Sequence, residues 1–373
     1  MQTYDIAILG GGIAGLSLAY FLGGERSVVV LEREESLGYH STGRSAAEFV
    51  LRYNSPQVCA LAAISRDFFD NPPEGFSDVP LLVPRGGVMI ANAEKLERFE
   101  AHFAEEQRKT DKLTRLSVDE ALAMVSILDP GYVAGCYHDP EFWDIEVESL
   151  LQGYLKGARR AGVEIRQKAG VVAARDNGEC WLIDTEGETI AARVVVNATG
   201  GWADPTARLF GVAPVGIVPH RRTAILVDLP DGMDCRRMPE INELDDEFYV
   251  KPDAGRLLVS PADETPCEPG DIQPEEMDVA WAAHHLETAT TLTVRRVAKS
   301  WAGMRSFSAD RLPVIGAASD HPRFFWLAGQ GGYGILSSPA LGALASSLLV
   351  GRAAPQGFAE HGLDPARLSP LRF

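Results

Sequence analysis

The chain has 373 residues, enough for two domains or one large one around a substantial core. Its net charge of −17, from 35 Lys and Arg against 52 Asp and Glu, argues against nucleic acid and against electrostatic attachment to an anionic membrane. Five cysteines (Cys59, Cys136, Cys180, Cys235, Cys267) lie without CxxC or paired spacing, so neither a disulfide framework nor a metal site is expected, and a reducing cytoplasm fits.

An apolar run over residues 6–9 enters Gly10, Gly11, Gly12, Ile13, Ala14 and Gly15, followed by a second apolar segment to Leu22. No basic stretch precedes it, so no secretory signal is expected. The pattern predicts a strand, a tight turn and a helix start. Gly10 permits the turn, Gly12 lets a pyrophosphate approach the backbone, and Gly15 lets helix and strand pack closely, so the helix N-terminus can hold phosphate oxygens. Residues 27–31 then read as a second buried strand ending at Glu32, where an acidic side chain reaches a ribose hydroxyl. A glycine-rich turn that binds nothing is the plain alternative. A membrane helix over residues 6–24 is another, disfavoured by its glycines and by the charged strand after it.

Farther along, residues 65–69 and their neighbours look helical, and a turn over 71–75 breaks the pattern. Residues 81–83 and 88–91 read as strands, followed by a charged helix around 95–109. A shorter helix starts at Ser117, with Glu120 three residues on. Residues 146–161 form an amphipathic helix, and 163–165, 171–174, 180–183 and 194–196 are short strands. The last runs into Asn197, Ala198, Thr199, Gly200, Gly201 and Trp202, small residues that allow close backbone approach to a ligand, before a helix over 203–210. Strands are expected at 217–227, 248–251 and 257–260, a helix at 274–288 and a strand at 298–305. The chain closes with an apolar strand at 324–328, the loop from Gly329 to Gly334, and an apolar helix through Leu349. No internal repeat or low-complexity tract is evident.

A strand, glycine loop and helix at both ends of one chain suits a cofactor that needs two anchors. A flavin fits better than a nicotinamide, because a reduced flavin carries negative charge near N1 and the C2 carbonyl, which a helix start can face. A C-terminal glycine turn that merely caps the fold is the alternative.

The N-terminal glycines with Glu32, the segment from Gly38 to Ala47, the Asn197 to Gly200 strand end, Trp301 to Arg305, and Gly331 to Ile335 carry a resemblance. Together they resemble the D-amino-acid oxidase superfamily of flavoenzymes and, within it, the bacterial D-arginine dehydrogenases. The resemblance covers nearly the whole chain, and YHSTGRSAA and QGGYGI are far more specific than the glycine motif. It implies an α/β fold: a Rossmann-like FAD-binding domain from residues 1–80, 146–215 and 300–373, interleaved with an α+β substrate domain containing a mixed sheet, from 81–145 and 216–299. It also implies oxidation of a free amino acid to an imino acid, which water hydrolyses to a 2-oxo acid and ammonia. By the same resemblance the activity is a dehydrogenase, with a quinone or oxygen as the candidate electron acceptors.

Carried over by resemblance, FAD contacts fall on Ala14, Glu32, Arg33, the segment Ser41, Thr42, Gly43, Arg44, Ser45, Ala46, Ala47 and Glu48, Val171, and the loop Gly331, Gly332, Tyr333, Gly334 and Ile335. Arg222 and Arg305 match the substrate carboxylate binders, Tyr249 a hydroxyl near the substrate, Tyr53 a pocket or lid tyrosine, and the Gly332 carbonyl an acceptor for the amine. Two guanidiniums hold a carboxylate with a geometry lysine does not reproduce. Read without the resemblance, Arg221 and Arg222 could both be surface charges and Tyr249 a core aromatic. Hydride transfer from Cα needs a neutral amine, which burial and nearby positive charge favour, so neither His40 nor His220 is expected to act as a base.

The D-arginine enzymes have a glutamate where this chain has Gly87, a histidine at Glu48 and a threonine at Val50. Glu48 could supply a replacement carboxylate or be a solvated or flavin-loop residue. Arg52, Glu240 and Asn242 also differ in kind from the pattern, the last two standing where apolar residues are expected. Two rival readings remain: an oxidase or dehydrogenase of N-methyl or glycine-like amines, and a flavin-binding protein without turnover. With no cysteine beyond Cys267, noncovalent FAD is expected.

Overall fold

A computed structural model of the chain describes residues 3–24, 26–53 and 55–373. At the N-terminus, β1 (Thr3–Leu9), α1 (Ile13–Leu22) and β2 (Val28–Leu31) follow one another, and β2 is buried at every residue because both faces of its sheet are covered. Next come β3 (Glu48–Val50), α2 (Pro56–Asp70), β4 (Leu82–Pro84), β5 (Gly87–Ala91), α3 (Leu96–Glu106) and β6 (Thr114–Arg115). A full capping box starts α4 (Val118–Met124): the Ser117 hydroxyl accepts from the Glu120 N–H while the Glu120 carboxylate accepts from the Ser117 N–H. β7 (Gly135–Asp139), β8 (Phe142–Ile145) and α5 (Val147–Arg160) lead to β9 (Glu164–Arg166), β10 (Val171–Asp176), β11 (Trp181–Thr185), β12 (Thr189–Asn197) and α6 (Ala203–Leu209). The last part holds β13 (Val218–Val227), β14 (Glu240–Glu243), β15 (Tyr249–Asp253), β16 (Arg256–Ser260), β17 (Thr265–Pro266), α7 (Glu276–Ala289), β18 (Val297–Phe307), β19 (Val314–Ala317), β20 (Phe324–Ala328), β21 (Gln330–Gly331) and α8 (Ser338–Leu349).

The first sheet runs β10-β11-β12-β1-β2-β9, with β20 also on β12 and β19 on β20. β20, β12, β1, β2 and β9 pair in parallel, the arrangement expected of a nucleotide-binding sheet. Alternation along β1 sorts the two cores. Ile6 and Ile8 pack with Leu18, Leu22, Leu341 and Leu344 from α1 and α8, while Ala7 and Leu9 face Trp181, Phe210 and Trp326.

The second sheet runs β21-β18-β13-β16-β15-β14-β5-β7-β6, with β17 on β13, and it is mixed because β14 pairs in parallel with β5 while its other pairings are antiparallel. Its back face buries Val88, Ile90, Ile225, Ile241, Val250 and Val259 under Ala282, Leu286 and Ala289 of α7. The opposite face looks toward the first sheet. The chain passes between the two sheets at Gly329, where φ is +69°: β20 ends in the first and β21 begins in the second. Residues 300–307, assigned from sequence to the cofactor domain, lie in β18 of the second sheet, held there by antiparallel pairing along all of β13. A small third sheet, β3-β8-β4, pairs with neither.

Residues 6–24 thus form strand, turn and helix, and among the described residues no helix is long and apolar enough to cross a membrane. The turn depends on close packing. A Cβ on Gly15 would lie 2.0 Å from the Gly10 carbonyl oxygen. Gly15→Ala is therefore expected to push α1 off β1 and lower stability by about 1–3 kcal/mol, read from urea unfolding; an unchanged midpoint would show that the contact is not tight.

Candidate active site

Two cavities meet between the sheets. The narrower is a slot running from the α1 N-terminus to the loop after β21. It is walled by Ala14, by Ser41, Thr42, Arg44, Ser45 and Ala46, and by Gly331, Gly332, Gly334 and Ile335. Gly10 takes φ +102° and would, with a Cβ, meet the Ala198 oxygen at 2.5 Å, while Gly12 stays open, a Cβ there meeting only Thr42 Oγ1 at 3.3 Å. Thr42 Oγ1 accepts from the Ile13 N–H at 3.0 Å, so the 41–46 segment is tied to the helix start.

The remaining expected cofactor residues do not wall this slot. Glu32 ends β2 and accepts from the Gly11 N–H at 2.7 Å and the Glu34 N–H at 2.9 Å, which pins its carboxylate against the glycine turn. The Arg33 guanidinium lies 4.9 Å over the Trp202 ring. The Gly43 N–H donates to the Gly38 oxygen, closing a turn, and Val171 opens β10 opposite Thr185. Ala47, Glu48 and Tyr333 line the second cavity instead.

That cavity is a chamber of about 910 Å³, and it brings together Tyr53, Arg222, Tyr249, Arg305 and Gly332. Strand pairing explains the convergence. β13 and β18 set Arg222 opposite Gly303 and His220 opposite Arg305, so the two guanidiniums stand on the same face, one diagonal step apart. Arg221 faces the other side, bonded to Glu275 at 2.6 Å and Asp278 at 2.9 Å. Arg222 touches Glu264 at 3.1 Å, but its Nε is buried without a hydrogen-bond partner. Burial lowers the Arg222 pKa, and the Arg305 charge lowers it further. Among the described residues the Arg305 side chain makes no hydrogen bond or ion pair within the protein. Gly332 gives it room, since a Cβ at that position would lie 3.0 Å from the Arg305 Cζ. Tyr249 and Tyr53 are partly buried, and burial raises the pKa of both against the opposing pull of Arg305. Arg222, Tyr249, Arg305, Gly332, Ser45, Ala46 and Ile335 border slot and chamber alike, so the two spaces are continuous.

Several chamber residues escaped the sequence reading. Asp246, at φ +56° in the turn between β14 and β15, lines the chamber while remaining exposed; desolvation raises its pKa while Arg222 and Arg305 oppose. Arg311 pairs with Glu264 at 2.9 Å and covers Phe307 at 3.7 Å. His102 lines the chamber through a 3.1 Å bond with the Tyr137 hydroxyl, whereas His40 pairs with Glu34 and His220 with the Val218 carbonyl, outside it. Arg52 is held by Asp139 and Glu141. Outside the chamber lining, Lys251 is 5% exposed, donates to the Ala46 oxygen at 2.7 Å and pairs with Asp144 at 2.8 Å. Burial works against its ammonium, but Glu48, Glu240 and Asp144 outweigh it and raise the Lys251 pKa. The available signal was alternation: Glu240 and Asn242 on β14, like Tyr249 and Lys251 on β15, are polar at every second position.

A parallel nucleotide-binding sheet, a slot with glycine loops at both ends, and an adjoining chamber with two guanidiniums are the arrangement of a flavin-dependent oxidoreductase. The chain belongs to the DAO family of FAD-dependent oxidoreductases, whose family model matches residues 5–348, and FAD is its cofactor. It is similar to the glycine oxidase of Geobacillus kaustophilus, 25% identical over 93% of each chain; the crystal structure of that enzyme superposes with a TM-score of 0.85, at 23% identity and full coverage of both chains. The dimethylglycine dehydrogenase of Rattus norvegicus is 22% identical over 97% of this chain, which spans only 44% of that longer protein. The iminodiacetate oxidase from Chelativorans sp. shares the fold with a TM-score of 0.80, at 20% identity and 98% coverage of each.

The slot fits FAD. Gly12 leaves the α1 N-terminus open to phosphate, and Gly331, at φ +54°, would with a Cβ meet Phe307 at 2.2 Å, so the second loop is kept low. Burial and then the Glu48 charge raise the Glu240 pKa well above 4.5. Above 4.5 the folded protein therefore retains a proton that the unfolded chain releases, and stability falls as pH rises through that window. Glu240→Gln removes the effect. Its stability relative to the parent is expected to grow from about pH 5 to about pH 8 in urea unfolding, and a pH-independent difference would contradict the assignment.

Proposed function

We propose that the protein oxidises free D-amino acids, giving an imino acid that water hydrolyses to a 2-oxo acid and ammonia. The carrying observation is the pair Arg222 and Arg305, two enclosed guanidiniums with unused donors at the junction of slot and chamber. Such a pair calls for a carboxylate, and a carboxylate held at two points fixes the Cα of its owner. Bound FAD, held noncovalently, accepts the hydride that leaves Cα.

Tyr249 and Tyr53 close the site around the substrate, and the Gly332 carbonyl accepts from its amine. Enclosure and the two positive charges disfavour the ammonium form, so the amine loses its proton without a histidine at the reacting centre. The cofactor contacts and the division into interleaved cofactor and substrate domains given above belong to the same proposal. The lean is to a dehydrogenase reoxidised by a quinone.

The names of the relatives support a second reading, oxidation of glycine-like or N-methylated amines. Anaerobic stopped-flow bleaching of the flavin by D- and L-amino acids, glycine, N-methylglycine and dimethylglycine decides between them, and reoxidation by a soluble quinone or by oxygen follows in the same instrument. Rapid bleaching by D-amino acids is expected; bleaching by N-methylated or achiral substrates alone would overturn the proposal. Arg305→Lys loses a charge-assisted hydrogen bond to the carboxylate, about 1.5–3 kcal/mol, so the substrate Kd from the same traces is expected to rise about ten- to a hundredfold. An unchanged Kd would remove Arg305 from the site.

A further inference from the structure

Arg222 already has a carboxylate beside it. Its Nη2 donates to Glu264 Oε1 at 3.1 Å, and Glu264 lines the same chamber. The Glu264 carboxylate is also held from another side: Arg311 Nη2 donates to Oε1 at 3.0 Å and to Oε2 at 2.9 Å. One carboxylate is therefore shared unequally by two guanidiniums, with a single contact to Arg222 and a contact through both oxygens to Arg311.

The chain on either side of Glu264 is fixed, so the exchange between these partners falls to its side chain. The neighbouring Asp263 accepts from the Thr223 N–H at 2.6 Å and from the Thr223 hydroxyl at 3.0 Å, while Thr265 and Pro266 of β17 pair with Arg221 and His220 of β13. Arg311 is braced as well. Its guanidinium lies 3.7 Å from the centre of the Phe307 ring, and the Tyr333 hydroxyl donates to its carbonyl. The Glu264 side chain is 33% exposed and that of Arg311 53%, against 13% for Arg222, so the shared carboxylate stands between water and an enclosed guanidinium.

A second carboxylate brought to Arg222 and Arg305 meets this one. Two carboxylates on one enclosed guanidinium repel each other, and the weaker hold yields. Glu264 gives up one contact to Arg222 and keeps both to Arg311, where water shares its charge. Until then it offsets part of the cost of keeping Arg222 beside Arg305.

We propose that Glu264 is a resident counter-ion that occupies Arg222 until a substrate carboxylate displaces it onto Arg311, and that it thereby sets the affinity of the site for carboxylates. This rests on the reading of Arg222 and Arg305 as the carboxylate anchor and names the group with which the substrate competes.

The test is a titration of hexanoate, a carboxylate with no amine to oxidise, against the absorption spectrum of the flavin in the holoenzyme. In Glu264→Gln the competing charge is gone, and the hexanoate Kd is expected to fall about fivefold. Removing a group that only packs or braces does not tighten binding, so an unchanged or raised Kd overturns the proposal. Glu264→Ala takes its place if the glutamine variant does not retain FAD. Arg311→Gln is expected to act in the opposite sense, raising the Kd about fivefold, because Glu264 is then left to Arg222 alone. In the Glu264→Gln background the same change is expected to have no effect. A Kd raised equally in both backgrounds makes Arg311 a direct binder of the carboxylate and overturns the exchange.

The same titration separates this inference from the reading beneath it. If hexanoate follows the expected pattern while no D-amino acid bleaches the flavin, the exchange stands and the D-amino-acid reading fails. If hexanoate perturbs the flavin in none of these proteins, the carboxylate does not reach the arginine pair and the proposal falls.

Discussion

The antiparallel pairing of Val218–Val227 with Val297–Phe307 is the contact on which the site depends. It brings together two strands some seventy residues apart in sequence and fixes their register, so that Arg222 and Arg305 project from one face. A slip of a single residue would turn either guanidinium into the apolar back of the sheet, against α7. Two like charges side by side and largely out of water are unfavourable alone. Arg222 is only partly compensated by Glu264, and the remaining donors keep a standing preference for an anion.

The glycines of the second loop serve this arrangement in space. The backbone leaves the first sheet at Gly329, pairs briefly with Ser306 and Phe307 through β21, and passes close over Arg305 at Gly332. The strand that carries one arginine is thereby also the strand on which the cofactor loop is anchored. Position of the slot and position of the proposed carboxylate anchor are coupled through Val297–Phe307, although that strand belongs to the second sheet.

Much of this is legible in the chain itself, for identifiable reasons. Gly10, Gly12 and Gly15 announce the nucleotide turn because their spacing answers steric needs that are local to one turn. Ser117 and Glu120 announce the start of α4 for the same reason. The short strands Glu48–Val50, Gly135–Asp139, Glu240–Glu243 and Val314–Ala317 carry no such mark. They are held by partners far away in sequence, and Glu240–Glu243 is polar at the positions that face the chamber. Arg221 and Arg222 are indistinguishable as neighbours in sequence, and only the pleat of β13 sends one to α7 and the other to the chamber. Asp246 and His102 reach the chamber from a turn and a helix whose docking no local pattern discloses.

In the proposed reaction the arginine pair does two jobs with one field. A substrate whose carboxylate neutralises the guanidiniums brings its ammonium within reach of what positive charge remains, in a space with little water to stabilise it. Both effects favour the neutral amine, the form from which hydride can leave Cα. Asp246 opposes them, since its carboxylate offers the ammonium a partner, and it sits close enough to feel Arg222 and Arg305. Desolvation raises the Asp246 pKa even though the residue remains exposed, and this weakens that opposition. The balance at the reacting centre is therefore set by which charges can be spread over several donors. Guanidiniums can do so and an isolated carboxylate cannot, so the site stays net positive where the amine must shed its proton.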